Sequence, residues 1–329
     1  MKHEHYSTAS YRSEQISNPV LDESNKRLNI NPSTVRGRSK PVVTRRDFLR
    51  LLKIAGLDLA LLAFGGNLYM SKYEPFWLDV TNVKLKLPRL PKSFSGFRLA
   101  QISDLHFGGW MDADRLEEVL STVSSLSPDL LAITGDFTFG HTWRSPEEDR
   151  ERYADMVRVI SSYTGEFLTI GANGNHDHWV DPTVMQWIFQ AGGVVNLNNN
   201  IHLLTNGGES LYLAGVDNVW YREDRLDLVQ AQIPREECAI LLAHEPDFAD
   251  TSALDGRFDL QISGHSHGGQ IVLPFLGPPV LPRWGKKYAR GLYRVGEMFQ
   301  YTNRGVGMIP PYIRFNCRPE ITVFTLESV

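Results

Sequence analysis

The sequence predicts an α/β fold with two sheets, and three patterns support this prediction. Five short apolar runs are typical of buried strands, and each ends directly before a polar motif. Amphipathic helices fill the gaps between the early runs. After His244 the chain changes to short strands and turns, which indicates a second sheet. About 235 residues after Phe94 are enough for one large domain with a substantial core.

The five apolar runs are rich in aliphatic residues and short enough to be buried strands. They cover residues 97–103, 130–134, 167–170, 239–243 and 258–263. An open α/β sheet presents its ligands at the carboxyl ends of its strands. We therefore expect the polar motifs that follow these runs to meet in one site.

Helices are predicted from spacing and from capping residues. Residues 113–126 place their aliphatic side chains on one face. The segment Ser145-Pro146-Glu147-Glu148 is a capping box with proline at the first helical position, and it predicts the start of a second helix. Asp181-Pro182 predicts a third start of the same kind.

The second sheet is predicted from the last part of the chain. Its strands are expected at 270–273, 291–295, 298–302 and 321–325, with Gly296-Glu297 as a tight hairpin turn. No internal repeat is present in the sequence.

Five motifs rich in metal-binding side chains run in order along the chain. Carboxylate, amide and imidazole donors suit Mn, Fe(II) or Zn, and neither cysteine lies in a motif. Two such cations, roughly 3.5–4 Å apart, activate water and spread the charge that develops on a phosphoryl group. The motifs predict a two-metal hydrolytic centre in which Asp136 is the natural bridge. They are Asp104-Leu105-His106, Gly135-Asp136, Gly174-Asn175-His176-Asp177, His244 and Gly264-His265-Ser266-His267.

A single residue of this set would be weak evidence for a metal site. His244 by itself is more typical of a half-buried histidine at a strand end than of a ligand, and the ordered set changes that interpretation. His178 has no assigned ligand role and is expected at the rim or in packing. His141 and His202 are expected on the surface or in loops. Glycines 135, 174 and 264 precede ligand residues, where the backbone must turn sharply and approach the ions.

The order of the motifs resembles the calcineurin-like metallophosphoesterase superfamily, and the resemblance extends from about Phe94 to the C-terminus. It implies a two-sheet β-sandwich flanked by helices, in which a hydroxide bridging two metals attacks phosphorus. One metal would be held by Asp104, His106, Asp136 and His267, and the second by Asp136, Asn175, His244 and His265.

The resemblance also assigns catalytic residues. His176 would contact the phosphate or the leaving-group oxygen, and its ordinary pKa suits a general acid. Asp177 is the candidate to hold the tautomer of His176. Segments 303–305 and 313–320 resemble the C-terminal signature of a bacterial branch of small secreted or membrane-associated phosphoesterases.

The predicted function is a metal-dependent phosphohydrolase, either a phosphodiesterase or a phosphomonoesterase. One alternative is a membrane-associated pyrophosphatase of the UDP-2,3-diacylglucosamine type, which would face the cytoplasm. Another is a binding scaffold without catalysis. The sequence leaves open whether the phosphate-ester substrate is a monoester, a diester or a pyrophosphate, and it leaves open the native metal pair and the oligomeric state.

A proline-rich loop at 274–290 follows the last motif. Arg283, Lys286, Lys287 and Arg290 either contact an anionic substrate or belong to a solvated basic loop. The net charge of −4 gives no basis for nucleic-acid binding. The two cysteines, Cys238 and Cys317, neither establish nor exclude a disulfide.

The N-terminal region predicts where in the cell the protein is located. Residues 1–44 are polar and are expected to be disordered. Residues 45–71 resemble a twin-arginine export signal, kept as a membrane anchor or cleaved, because Arg45-Arg46 precedes an apolar stretch. The alternative is an amphipathic packing helix. Residues 72–93 are expected to be a linker and edge strand, and 94–329 the metallophosphoesterase domain.

The distribution of basic residues predicts orientation. Seven lysines and arginines lie between Arg36 and Lys53, against four between Lys72 and Arg89. The positive-inside rule then places the domain outside the cytoplasm, exported or anchored at the membrane. The expected partners besides substrate are the export machinery and the membrane.

Overall fold

The computed structural model describes residues 44–140 and 143–329. The chain divides into two compact units, Met1–Leu57 and Asp58–Val329. Of the first unit, only the residues from Thr44 onward are described, so the predicted disorder of the N-terminal segment and the position of His141 lie outside the described residues.

The first sheet has six strands in the order β1-β12-β2-β3-β4-β5. The strands β2 to β5 are parallel, β12 is antiparallel to β2, and β1 runs parallel to β12 at the edge. Their bounds are β1 Asp79–Leu87, β2 Arg98–Ile102, β3 Leu130–Thr134, β4 Leu168–Ala172, β5 Val195–Asn196 and β12 Glu320–Ser328.

The second sheet also has six strands, in the order β10-β11-β9-β8-β7-β6. The strands β7, β8, β9 and β11 are parallel, and each edge strand closes an antiparallel hairpin. Their bounds are β6 Asn200–Asn206, β7 Glu209–Gly215, β8 Cys238–Leu242, β9 Leu260–Ser263, β10 Gly291–Val295 and β11 Met298–Thr302.

The two sheets pack face to face, and helices cover their outer faces. Leu99 and Leu130 of the first sheet share a buried cluster with Leu213 and Ile240 of the second. Alternate residues of the same strands point the other way: those of β2 and β3 pack under helices, and those of β7 and β8 form a third cluster. Burial on both faces explains why these strands are continuous apolar runs. The predicted two-sheet sandwich flanked by helices is confirmed.

Three helices, α2 to α4, begin where the sequence predicts. Asp112 caps α2, Ser145 caps α3 with the full capping box, and Asp181 caps α4. Each cap accepts a backbone N–H of the first turn, which stabilises the helix start by about 1 kcal/mol. The bounds are α1 Arg45–Leu68, α2 Ala113–Ser125, α3 Pro146–Tyr163, α4 Pro182–Gly192, α5 Leu226–Ala231 and α6 Ala249–Ser252.

Helix α1 differs from the others because it has no buried residue. Among the described residues no helix combines the length and the apolarity needed to cross a bilayer.

Two strand predictions for the C-terminal part are wrong. Residues 270–273 form no strand, because Gly268, Gly269 and Gln270 all have positive φ and turn the chain. They form only two isolated bridges, between Ile271 and Phe315 and between Leu273 and Gly277. Residues 321–325 do form a strand, but it lies in the first sheet between β1 and β2. The predicted hairpin of β10 and β11 around Gly296-Glu297 is confirmed.

Candidate metal centre

The predicted motifs converge where strands of both sheets end. Asp104 and His106 follow β2, Asp136 follows β3, and Asn175 and His176 follow β4, whereas His244 follows β8 and the pair His265 and His267 follows β9. A buried side chain joins the sheets beneath this point: Gln101 Nε2 donates to Thr134 Oγ1 and to the Ser263 carbonyl, both at 2.9 Å. The site therefore straddles the sandwich, at the carboxyl ends of parallel strands.

One group of ligand atoms comes from Asp104, His106 and His267. The Nε2 atoms of the two histidines lie 3.0 Å apart, and His267 Nε2 lies 3.5 Å from Asp104 Oδ1. Burial lowers the pKa of His106 to about 3, helped by the nearby His176, and burial with the nearby His106 holds the pKa of His267 well below its ordinary value. Both imidazoles are therefore neutral and offer lone pairs to a cation.

A second group consists of Asp104, Asp136 and His244. His244 Nε2 lies 3.2 Å from Asp136 Oδ2 and 3.9 Å from Asp104 Oδ1. The same Asp136 oxygen lies 3.5 Å from His106 Nε2 of the first group, while its other oxygen accepts the His176 backbone N–H at 2.8 Å. One carboxylate oxygen thus faces both groups, as a bridging ligand must.

Backbone carbonyls set the tautomers of two histidines. His244 Nδ1 donates to the Thr134 carbonyl at 2.7 Å, and His265 Nε2 donates to the Arg283 carbonyl at 2.7 Å. Each ring keeps one nitrogen free to bind a metal, and such second hydrogen bonds orient metal-binding imidazoles. The rings of His244 and His265 meet edge to face, with centroids 5.0 Å apart.

Four buried polar atoms of the predicted ligands make no hydrogen bond to any described residue. They are His106 Nδ1, Asn175 Oδ1, His244 Nε2 and His267 Nδ1. Burying such an atom without a partner is costly. A divalent cation that prefers nitrogen and oxygen donors would satisfy His244 Nε2 and Asn175 Oδ1, so the residues present fit the metals that the sequence predicts.

The charges of the second group are interdependent. Burial opposes a charge on Asp136 and on His244, but their mutual attraction holds the pKa of Asp136 well below, and that of His244 well above, its ordinary value. Burial raises the pKa of Asp104 to about 6. A proton on His244 Nε2 occupies the lone pair that a cation would use, so metal binding there displaces a proton.

The backbone is strained at the ligands. Asp104, His106, Asp136, His265 and His267 all have φ between 46° and 69°, a region that non-glycine residues rarely adopt. Such strain concentrates at functional sites, where the surrounding structure enforces it. A Cβ at Gly174 would collide with the Asp136 carboxylate, and one at Gly264 with that of Asp104. At these two positions the backbone therefore packs directly against ligand carboxylates and leaves no room for a side chain.

His176 lies beside both groups, but its predicted partner is wrong. Its Nδ1 donates to the Phe139 carbonyl at 2.7 Å, so the expected contact with Asp177 does not form. A short 3-10 turn begins at Asp177 and directs this side chain inward. There its carboxylate accepts hydrogen bonds from the backbone N–H groups of Phe137, Thr138 and Gly174. Asp177 therefore holds the β3 and β4 loops together.

The remaining residues named in the sequence analysis belong to neither group of ligand atoms. His178 pairs with Asp217 at 2.8 Å, at the rim, and His202 lies half-buried on β6. Of the basic loop, Lys287 pairs with Asp250 at 2.7 Å and Arg283 lies over the Trp284 ring. Within the described residues none of the four basic side chains of this loop lines the cavity beside the ligands.

That cavity has a volume of about 560 Å³ and reaches Asp136, Asn175 and His176. Three aromatic side chains, those of Trp179, Trp220 and Tyr221, belong to its lining. Trp179 lies against His176, with ring centroids 4.1 Å apart, and its Nε1 donates to the Tyr221 hydroxyl at 2.6 Å. Trp220 meets His265 edge to face at 5.7 Å. The sequence motifs did not indicate these residues.

Two buried charged residues support the site from behind, and sequence reasoning assigned neither of them a role. Glu245, next to His244, accepts the backbone N–H groups of Val219 and Trp220 and so fixes the loop that carries Trp220. Arg314, fully buried in the C-terminal signature, donates to four backbone carbonyls of residues 304, 305, 307 and 317. Gly307 N in turn donates to the Asp104 carbonyl at 2.8 Å. Arg314 therefore holds the segment against which Asp104 rests.

Comparison with known proteins agrees with this geometry. The family described as Calcineurin-like phosphoesterase matches residues 97–269, which contain every predicted ligand. The chain belongs to the calcineurin-like phosphoesterase family. It is a hydrolase of phosphoric esters that requires divalent metal ions, so the enzyme prediction is confirmed.

The relatives span nearly the whole chain. An uncharacterized metallophosphoesterase of Bacillus subtilis, YkuE, is 34% identical over 87% of this chain and 98% of its own length. The Escherichia coli phosphodiesterase YaeI is 27% identical over 87% of this chain and its full length. Among solved structures, a dimetal phosphatase from Danio rerio superposes with a TM-score of 0.43 at 11% identity, covering 70% of this chain and 99% of that one.

Proposed function

We propose that this chain is a phosphodiesterase or phosphomonoesterase that uses two divalent metal ions. The observation that carries the proposal is the position of Asp136 Oδ2, 3.5 Å from His106 Nε2 and 3.2 Å from His244 Nε2. Asp104, His106, Asp136 and His267 would hold one ion, and Asp136, Asn175, His244 and His265 the other. When bound, two such ions lower the pKa of water and offset charge on phosphoryl oxygens.

The donor set favours Mn, Fe(II) or Zn, because it contains only carboxylate, amide and imidazole groups. Neither cysteine supplies a thiolate. Cys238 is buried in β8, and Cys317 Sγ donates to the His267 carbonyl at 3.2 Å.

In the proposed reaction His176 acts on the leaving group. Its Nδ1–H is held by the Phe139 carbonyl, which leaves Nε2 for a substrate in the cavity that this residue lines. The water molecule releases one proton to solvent as its oxygen bonds to phosphorus, one phosphorus–oxygen ester bond breaks, and Nε2–H gives its proton to the departing oxygen. General-acid catalysis of this kind contributes about a hundredfold to ten-thousandfold.

The test is hydrolysis of bis-p-nitrophenyl phosphate and p-nitrophenyl phosphate by the purified full chain, after metal removal and after addition of Mn, Zn or Fe(II). We expect activity on at least one ester that depends on added metal and is lost in Asp136→Asn. Metal-independent hydrolysis, or activity retained in that variant, would contradict the proposal. Hydrolysis of a UDP-sugar diphosphate in preference to both esters would favour the pyrophosphatase alternative.

We also propose that residues 45–71 act as a twin-arginine export signal that is kept as an anchor or cleaved. Support comes from Arg45-Arg46 at the start of α1 and from the exposure of nearly all apolar side chains of that helix. The test fuses residues 1–71 to a reporter that is active only outside the cytoplasm. We expect Arg45→Lys with Arg46→Lys to abolish the signal, and an undiminished signal would refute the assignment.

A further inference from the structure

The cavity beside the metal ligands is suited to an apolar group. Its lining includes Trp179, Trp220 and Tyr221 from one part of the chain, and Val280, Ile309 and Pro311 from another. As far as the structure describes the chain, no lysine or arginine lines it. A diphosphate that extended away from the metals would therefore meet no cationic side chain in the cavity.

Two polar side chains of the lining that are not predicted ligands, Gln270 and Ser266, form hydrogen bonds within the protein. Gln270 Nε2 donates to the carbonyls of Ile309 and Pro311, and its Oε1 accepts Ile309 N. Ser266 Oγ donates to the Ala289 carbonyl at 2.5 Å. A nucleobase or sugar in the cavity would lose hydrogen bonds to water with little replacement, whereas an acyl chain would gain from burial.

An apolar turn stands next to the cavity. Leu273 and Gly277 close it with two backbone hydrogen bonds of 3.0 and 2.9 Å. At its tip Phe275 is fully exposed and Leu276 is 82% exposed. Val280, three residues beyond the turn, is 76% exposed and also lines the cavity, so the exposed apolar surface continues into the site.

The conformation of Phe275 adds to the cost of this exposure. Its φ is 65°, which is a strained value for a bulky residue and one where glycine or asparagine is usual. In solution the turn thus combines strain with an aromatic side chain in water. Insertion of the tip into an apolar medium would offset the exposure.

The charge of residues 264–290 indicates what kind of apolar medium would receive the tip of the turn. Between Gly264 and Arg290 the chain has four basic residues and no acidic one, although the whole protein carries a net charge of −4. Lys287 is paired with Asp250, while Arg283, Lys286 and Arg290 form no ion pair with the described residues. Basic side chains beside an apolar tip are the pattern that binds anionic bilayer surfaces.

We propose that residues 273–277 insert into an anionic bilayer surface and that the cavity receives the acyl-bearing part of a lipid phosphate ester. The proposal rests on the proposed hydrolase function, and its substrate is a phosphoester of a membrane lipid. Water supplies the oxygen that bonds to phosphorus, one ester bond to phosphorus breaks, and the departing oxygen takes a proton.

The binding test uses the purified full chain and vesicles of phosphatidylcholine mixed with phosphatidylglycerol. The exposed helix α1 can bind vesicles as well, so the readout must be local. Leu276→Trp and Leu254→Trp place a fluorophore at two equally exposed positions, 82% and 83%. Leu254 lies in the connection that leads into the amino end of β9. We expect brominated lipid to quench the fluorescence added at 276 and not that added at 254.

The affinity of the protein for the same vesicles should depend on the apolar side chains at the tip of the turn. Leu276→Ser is expected to weaken binding roughly tenfold, because a leucine side chain no longer enters the bilayer, and Leu254→Ser should stay within twofold of the original chain. Equal quenching at 276 and 254 would overturn the docking surface. A second result would also overturn it: no quenching at 276, together with a change from dimer to monomer in Phe275→Ser/Leu276→Ser. The turn would then bind a second copy of the chain.

The catalytic test compares hydrolysis of phosphatidylglycerol in vesicles with hydrolysis of soluble bis-p-nitrophenyl phosphate. We expect the ratio of the two rates to fall at least tenfold in Phe275→Ser/Leu276→Ser and to be kept in Leu254→Ser. If the original chain hydrolyses the soluble diester but no vesicle lipid, the lipid substrate is refuted while the hydrolase function stands. If it hydrolyses neither, the hydrolase function fails, and the quenching result still decides the docking surface.

Discussion

The Nδ1 atom of His176 lies 2.7 Å from the carbonyl oxygen of Phe139. The tautomer of this histidine is therefore set by the backbone of the loop after β3, and Nε2 is left for the substrate. The neighbouring Asp177 has a different partner set, so the two adjacent residues have separable roles.

His176→Ala should lower kcat for bis-p-nitrophenyl phosphate by about a hundredfold or more, because a positioned proton donor is lost. Metal content should stay that of the original chain, since the ring is not among the predicted ligands. The measurement is steady-state kinetics with metal analysis on the same sample. His202→Ala, on strand β6, is the control. A kcat within threefold of the original, or loss of metal, would contradict the role given to His176.

Asp177→Asn should act mainly on stability. The buried carboxylate accepts hydrogen bonds from three backbone N–H groups. In asparagine an NH2 group would replace one of the accepting oxygens and would face backbone N–H groups. We therefore expect the free energy of unfolding to fall by about 2 kcal/mol. Asp181→Asn is the matched control, because asparagine also caps helices well. Chemical denaturation measures both variants. Equal stability of the two would show that the Asp177 contacts are not needed.

The pair of His178 and Asp217 predicts a pH dependence. Burial alone would lower the pKa of His178, but the hydrogen bond and charge of Asp217 raise it above its ordinary 6.5. The protonated ring therefore stabilises the fold below pH 6.5, and the contribution is lost as pH rises through the raised pKa. His178→Gln should cost up to about 1 kcal/mol near pH 6 and much less near pH 9. Urea unfolding at both pH values checks this, and a larger cost at the higher pH would contradict it.

Arg314→Met should destabilise the protein by about 3 kcal/mol or more, because four backbone carbonyls lose a buried cationic donor. Arg318→Met is the control, since Arg318 is partly exposed and forms one ion pair with Asp79, typically worth less than about 1 kcal/mol. Thermal unfolding compares them. If both variants unfold at the same temperature, Arg314 does not hold the segment against which Asp104 rests.

The sequence predicts the site better than it predicts the sheets. Strands β2, β3, β8 and β9 are buried on both faces, so they appear as continuous apolar runs, and the metal-binding residues follow them directly. Which sheet a strand joins depends on pairing between distant segments. The placement of β12 between β1 and β2 has no local signature.

Other features depend on groups that residue type does not encode. The partner of His176 is a backbone carbonyl, which no side chain at position 139 would indicate. Adjacent carboxylate and imidazole groups suggest a pair, but the turn at Asp177 separates them. Arginine is seldom fully buried, and only the folded loops show that Arg314 is.

In the proposed site the carboxylate of Asp136 joins two metal ions, and metal content measures this directly. Elemental analysis of the purified, folded full chain, reconstituted with Mn or Zn, should find two ions per chain. His106→Ala and His244→Ala should each lose about one ion, because each removes a ligand from one group only, and Asp136→Asn should lose both. No bound ion in the well-folded chain, or two ions retained in Asp136→Asn, would contradict the central claim.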